Sequence, residues 1–279
     1  VKNFPEPKNY AQLEKIERLV HSISKRQLNL DLTNVYTAAN DNRIRKIIKR
    51  YSSSPAFIHY NTFGTVTGRL STTPSSFPIL TLNKEYRTMI TPNNGVFIEF
   101  DYNAFELRVL TALLGREQPK GDIHDWNIKN IFEDGTSRSE AKQRIFAWLY
   151  NPNSNDKLLS EKYDRKGLLK KYFSDGKIVT DFNRDIEADD YHALNYLIQS
   201  TASDLFLEQV YKVFKILEDN NAKSYVSMLI HDSMILDFDR MDYKLLNQIK
   251  DAFKQTRYGD FKLNIQVGRT LGDLSAEWK

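Results

Sequence analysis

Residues 225–230 and 234–238 are two apolar runs separated only by His231-Asp232-Ser233. Runs this short, joined by so brief a link, can cover their apolar sides only by folding back on one another. The segment therefore predicts an antiparallel hairpin with those three residues at its turn. A second apolar strand, residues 96–100, runs directly into Asp101, and a helix over 104–114 follows, closed by Gly115. Residues 10–28 and 41–51 predict amphipathic helices, 187–217 a long apolar-striped helix, 241–255 a further helix and 261–267 a last strand. Residues 56–95 read as irregular, with a turn signal at Thr91-Pro-Asn-Asn-Gly95. Strands interleaved with helices, plus one antiparallel hairpin, predict an α+β fold with a helical insertion between about residues 116 and 190.

Composition narrows the chemistry. With no cysteine among 279 residues, disulfides and thiolate metal sites are excluded, so a metal must be held by oxygen or imidazole. No apolar run approaches the length that crosses a bilayer, and no leader pattern opens the sequence, so no membrane is expected and an intracellular compartment is the default. Cytoplasm or host cytoplasm fits, and an organelle stays open if a transit peptide has been removed. The net charge of +4 permits a polyanionic partner, and its distribution says more. Residues 1–55 carry eleven Lys/Arg against five Asp/Glu, densest at Arg43-Ile-Arg-Lys-Ile-Ile-Lys-Arg50. Such a stretch is either a solvated helix face or a contact for a phosphate backbone.

Two features carry chemistry. Asp101 at the end of an apolar strand and Asp232 in the turn of an apolar hairpin both sit among buried-type neighbours, where a carboxylate is costly without a cation. Each could be a turn-capping aspartate, and brought together they would be natural Mg²⁺ ligands. The second feature is Ser137-Arg-Ser-Glu-Ala-Lys-Gln-Arg-Ile-Phe-Ala-Trp-Leu-Tyr150, which opens with a capping box and stops at Asn151-Pro152. Arg138, Lys142, Phe146 and Tyr150 fall on one face of that helix. A stripe of two cations and two rings is either a basic surface face touching a neighbour or a seat for a polyphosphate joined to a flat base.

Taken together these residues resemble family A DNA polymerases, the group of bacterial DNA polymerase I and many phage replicative enzymes. Thr67-Gly-Arg-Leu-Ser71 is similar to a block of that family. Asp101-Tyr-Asn-Ala-Phe-Glu-Leu-Arg108 resembles its motif A, and Arg138 to Tyr150 its motif B. Asn195-Tyr-Leu-Ile-Gln-Ser-Thr-Ala-Ser-Asp204 resembles a block containing Gln-Gly-Thr-Ala-Ala-Asp, and Ile230-His-Asp-Ser233 its motif C. The blocks occur in the family's order from about residue 55 onward. Asp122-Ile-His124, Val267-Gly268 and Trp278 add smaller matches.

The resemblance implies a compact, phage-type polymerase domain with a right-hand fold. Residues 1–55 would form a reduced thumb-like segment and 116–190 the fingers, with the motif B helix at 137–150. Residues 56–115 and 191–279 would form the two parts of an antiparallel palm. It implies DNA synthesis from dNTPs on primer–template DNA, with two Mg²⁺ ions (Mn²⁺ as substitute) held by Asp101, Asp232 and the Tyr102 backbone carbonyl. Arg138, Lys142 and His124 would grip the triphosphate, and Lys142 would be the general acid toward pyrophosphate. Phe146 and Tyr150 would floor the incoming base, and Glu106 would exclude a ribose 2′-hydroxyl. Arg69, Asn195, Gln199 and His231 would contact primer–template. A processivity factor, a helicase or primase, and a separate exonuclease are candidate partners, because the sequence shows no exonuclease carboxylate cluster and few thumb residues.

The sequence departs from the family in places. Ser233 stands where motif C has Glu, as it does in single-subunit RNA polymerases. Ala147 and Asn151-Pro152 replace glycines of motif B, which implies a stiffer helix that ends sooner, and about 48 residues separate Tyr150 from Gln199, which implies trimmed fingers. Two alternatives stay open: a ribonucleotide-using primase or RNA polymerase-like relative, and a catalytically inactive protein that binds primer–template.

Overall fold

The computed structural model of the protein describes residues 6–38, 40–132 and 135–276. Glu133, Asp134, Trp278 and the first five residues of the basic segment lie outside the described residues.

Helix α1 (Tyr10–Ser24) buries Ile16, Leu19, Val20 and Ile23, a stripe at helical spacing. The helix expected over 10–28 ends early because Gln27–Leu30 forms a strand, β1, whose Leu28 turns inward while Gln27 and Asn29 stay exposed. Helix α2 (Asn42–Tyr51) starts where the Asp41 carboxylate accepts bonds from the N–H groups of Arg43 and Ile44. Only Ile44 and Ile47 of α2 are fully buried, so Arg43, Lys46, Lys49 and Arg50 face outward. The irregular stretch that follows holds β2 (Ala56–Phe57), β3 (Tyr60–Asn61), β4 (Ser71–Thr72) and β5 (Ile90–Thr91). Strands β2 and β5 flank β1, and β3 pairs with β4.

The centre is a four-stranded antiparallel sheet in the order β10-β11-β6-β14. Its strands are β6 (Val96–Tyr102), β10 (Tyr225–Ile230), β11 (Ser233–Phe238) and β14 (Leu263–Gly268). Between β6 and β10 lie α3 (Phe105–Leu113), α4 (Ile123–Asn130), α5 (Arg138–Tyr150), α6 (Lys157–Lys162) and α7 (Arg165–Tyr172). They are followed by β7 (Phe173–Ser174), β8 (Lys177–Val179), β9 (Asp185–Glu187) and the long α8 (Ala193–Asp219). After β11 come α9 (Leu246–Lys254), β12 (Gln255–Thr256) and β13 (Gly259–Asp260).

Alternation along β6 divides the sheet into two faces. Ile98, Phe100 and Tyr102 point into the core, where the Tyr102 ring stacks on Phe253 of α9 at 4.6 Å and on Phe105 of α3 at 4.5 Å. Phe206 of α8 packs edge-on against the same Phe253 at 6.1 Å. Glu99 and Asp101 are therefore directed to the opposite side.

Several boundaries differ from the expectation, each for a reason of pairing. The strand expected to stop at residue 100 continues to Tyr102 because Asp101 and Tyr102 find partners on β14, so Asp101 lies within the strand. The hairpin turn contains only His231 and Asp232, since Ser233 pairs with Ile230 and with Asp101. His231 makes this tight turn at φ +56°. The helix expected from 187 begins at Ala193, because Asp185–Glu187 is claimed by a three-stranded sheet, β7-β8-β9, that the sequence did not reveal.

Candidate active site

Asp101 and Asp232 meet at one end of the central sheet. Ser233, adjacent to Asp232, pairs directly across from Asp101, so strand register puts both aspartates at the same sheet end, near enough for the charge on Asp232 to raise the pKa of Asp101. Both oxygens of Asp101 have neutral donors: Ser233 Oγ at 3.1 Å and Asn264 Nδ2 at 3.2 Å. Burial raises the pKa of Asp101 and the charge on Asp232 adds to the rise, while the two hydrogen bonds oppose it. Burial likewise raises Asp232, with the Glu106 carboxylate adding to the rise and a bond from its own backbone N–H, His231 and Arg69 opposing it.

Glu106 enters from the other side. Ala104 takes a left-handed conformation, φ +48°, between β6 and α3, which turns the chain sharply so that Glu106 in the first turn of α3 faces the sheet end. Its carboxylate accepts hydrogen bonds from the Arg69 guanidinium and from the Tyr150 hydroxyl. Burial, with Glu106 beside it, pushes the Tyr150 hydroxyl well above its ordinary value, so it stays a donor. A cavity of about 300 Å³ opens here, with Arg69, Glu106, Phe146, Tyr150, His231 and Asp232 in its wall.

Helix α5 supplies one side of that cavity. Its capping box forms as expected, and Ala141, Ile145, Trp148 and Leu149 are buried, which leaves Arg138, Lys142, Phe146 and Tyr150 on the outer face. The Phe146 and Tyr150 rings are parallel within 6° at 5.8 Å, and Lys142 Nζ stands 5.7 Å from the Phe146 ring. Arg138 is already engaged: it bonds Asp122 at 2.8 Å and lies 3.6 Å from Asp125. Burial works to raise Asp122, but Arg138, Asn103 and two backbone N–H groups together hold it well below the usual carboxylate range. His124 is buried with its ring 6.1 Å from Phe146 and its Nδ1 without a partner. Burial lowers its pKa and the cations of Arg138 and Lys142 lower it further, against Asp122 and Asp125, so the imidazole is neutral near pH 7.

The remaining expected residues sit farther out. Asn195 and Gln199 occupy the first turns of α8, outside the cavity wall, with Asn195 Oδ1 buried and unpartnered. Ser203, one turn beyond Gln199, reaches the wall and continues their face into it. Tyr102 contributes its ring to the core, and its backbone runs beside Leu263. Ser203, Asn264, Asn103 and Asp122 were not singled out as site residues. Asn264 and Ser203 become visible only through strand register and helix phase, whereas Asp122 carries a readable signal as the N-cap of α4.

The donor set suits a hard divalent cation. Two carboxylates share a partly buried site, each raised by burial, and Asp101's own bonding partners are neutral; a cation would relieve both. Among the described residues, no group of three or more His, Cys, Asp or Glu side chains is gathered to hold a metal. A cation here would therefore draw its other oxygens from the backbone, substrate and water.

An antiparallel sheet with paired acids at its end, faced across a cavity by a helix striped with cations and rings, is an α+β polymerase fold. A solved structure bears this out: the polymerase domain of Pol1 from M. smegmatis, in complex with DNA primer-template and dNTP, matches with a TM-score of 0.63. The match covers 95% of this chain and 66% of that one at 13% identity. In sequence the chain is similar to DNA polymerase I of Caldicellulosiruptor bescii, 25% identical over 67% of the chain and 28% of the relative. DNA polymerase I of Borreliella burgdorferi is 23% identical over 94% of the chain and 34% of the relative. The DNA polymerase of Bacillus phage SP01 is 25% identical over 77% and 31%. These similarities bear out the resemblance to family A DNA polymerases. The chain spans about a third of the length of the curated relatives it matches. No protein-family model matches it. Among the described residues no helix is long and apolar enough to cross a membrane.

Proposed function

We propose that these residues form the polymerase domain of a template-directed DNA polymerase that transfers a nucleotide from dNTP to a primer 3′-hydroxyl. The carrying observation is that Glu106 and Asp232 line the α5-faced cavity, with Asp101 at the same sheet end, directly across from Ser233. Residues 56–115 and 191–279 serve as the palm, 116–190 as fingers and 1–55 as a reduced thumb.

In this reading Asp101 and Asp232, with the Tyr102 carbonyl, hold two Mg²⁺ ions, for which Mn²⁺ substitutes. When bound, such ions favour the primer alkoxide and offset charge on the transferring phosphate. Ser233 and Asn264 fix both oxygens of Asp101. Phe146 and Tyr150 offer ring faces that accept any base, leaving selection to the template. Lys142 and Arg138 hold the triphosphate beside His124, Arg138 exchanging Asp122 for phosphate oxygens. The 3′-hydroxyl gives its proton to water, its oxygen bonds to the α-phosphorus as the bond to pyrophosphate breaks, and Lys142 gives the leaving group a proton. Arg69, Asn195, Gln199 and His231 contact primer–template. Glu106, fixed by Arg69 and Tyr150, occupies the space that a 2′-hydroxyl needs, which favours deoxyribonucleotides over the ribonucleotide reading that Ser233 prompted.

Primer extension with dNTPs or rNTPs offered separately tests this. The expected result is extension with dNTPs. Preference for rNTPs would overturn the substrate assignment, and tight primer–template binding with no extension from either would leave a binding protein.

A further inference from the structure

The hairpin of β8 and β9 leaves the helical insertion and ends against α8 and the loop of residues 65–70. Its tip is tightly made. Buried Thr180 accepts, through Oγ1, the N–H groups of Phe182 and Arg184 at 3.3 Å, and Asn183 sits at φ +57°. The Arg184 side chain then reaches back to Asp204 of α8, which is 1% exposed, and gives it two hydrogen bonds, at 2.8 Å from Nε and 2.6 Å from Nη2. The same guanidinium lies against the backbone of Gly68: a Cβ there would stand 2.5 Å from Nη2 and 2.6 Å from Cζ. Gly68 itself is at φ +75°, so both the backbone and the space demand glycine. Ser203, next to Asp204, donates its hydroxyl to the Gly68 carbonyl at 2.7 Å. Gly68 is thereby held on two sides, and its neighbour is Arg69, which bonds Glu106 in the cavity wall.

We propose that Arg184 is a positioning residue that ties the helical insertion to Gly68 and so fixes where Arg69 presents its guanidinium to primer–template. The role of Arg69 rests on the proposed function; the tie itself rests on geometry. A planar fork is required at this joint, because one group must bond both oxygens of Asp204 while lying flat against a glycine, which a lysine ammonium cannot do. A buried ion pair kept only for stability could be exchanged for apolar side chains at little cost, and would not need to be aimed at a loop.

The test compares R69A, R184Q, R184K and R69A/R184Q. Primer–template dissociation constants are read by fluorescence anisotropy, kcat and KM for dNTP by extension, and amide hydrogen exchange at 65–70 by mass spectrometry. R184Q should weaken primer–template binding about tenfold, as R69A does, and the double variant no further. R184K, which keeps the charge and loses the fork, should recover little of the loss, and exchange at 65–70 should rise in both variants. Multiplying effects in the double variant, or a lower melting temperature with unchanged binding, would overturn the proposal. If R184Q does not fold, R184K and R69A/R184K carry the same comparison. Should the native protein neither bind nor extend primer–template, the proposed function falls, while exchange at 65–70 still decides whether Arg184 holds the loop.

Discussion

Asp232→Asn should stabilise the fold while it abolishes extension. The substitution keeps the shape of the side chain and removes one charge. That charge is opposed first by burial and then by Glu106, and it in turn raises Asp101. A weaker bond to its own backbone N–H, and the loss of attraction to His231 and Arg69, offset part of the gain. A net gain of about 1 kcal/mol is of the size seen when one such conflict is relieved. In a chain of this length it corresponds to a rise in melting temperature of about 2–4 °C. The sign of the pH dependence follows from the same cause. The folded-state pKa of Asp232 lies above its unfolded value, so the charged form opposes folding. The penalty is full above the folded pKa and fades as pH falls through it. The variant's advantage should be largest at pH 8 and vanish below about pH 4, where both states of the native protein bind the proton. Differential scanning fluorimetry in EDTA across that range measures it. Added Mg²⁺ should then raise the melting temperature of the native protein and not that of the variant. A variant that melts lower than the native protein at pH 8 in EDTA would mean that Asp232 has a stabilising partner, and the argument for a cation site would fail.

Glu106→Ala should raise ribonucleotide incorporation relative to deoxyribonucleotide by about tenfold or more, measured as a ratio of kcat/KM values; an unchanged ratio removes Glu106 from sugar selection. Ser233→Ala removes one donor from Asp101, a bond to a charged group worth about 1.5 kcal/mol, and should weaken Mn²⁺ binding roughly tenfold by electron paramagnetic resonance titration. Equal Mn²⁺ affinity would show that the hydroxyl does not orient the carboxylate. Tyr150→Phe keeps the ring and loses the bond to Glu106, so it should relax sugar selection in the direction of Glu106→Ala while base stacking persists. Unchanged sugar selection would mean that the bond does not hold Glu106.

The parts of the fold that the sequence disclosed are those set by local chemistry. The Ser137–Glu140 capping box, the end of α5 at Tyr150 and the apolar runs of the central hairpin all depend on neighbours within a turn or a strand. The helix ends at Tyr150, just before Pro152, with the Asn151 N–H closing it onto the Ala147 carbonyl at 3.0 Å. What stayed hidden depends on register between distant segments. Asn264 reaches Asp101 across 163 residues of sequence, and no periodicity predicts which β14 residue lands there. The β7-β8-β9 sheet is made of strands of two or three residues, too short to show alternation. The left-handed turn at Ala104, which aims Glu106, goes against the preference of alanine and has no local signature.

The α5 stripe could be read as a unit from the sequence, but its present bonds could not. Arg138 at its start is held by Asp122 and Tyr150 at its end by Glu106, so both ends are tied to the two helices that precede α5. Each tie matches a part of the proposed substrate. A triphosphate offers Arg138 several charged oxygens in place of the one Asp122 oxygen it now bonds, and a deoxyribose fits beside Glu106 while Arg69 and Tyr150 still hold that carboxylate. Binding would then exchange bonds at the Arg138 end of one rigid helix and keep the Tyr150–Glu106 bond at the other. The phosphates would meet the cost of releasing Asp122, and the tie that is kept would hold the sugar pocket in shape. Pyrophosphate alone would satisfy Arg138 but must first displace Asp122 from it, so it should bind more weakly than the sum of its contacts implies.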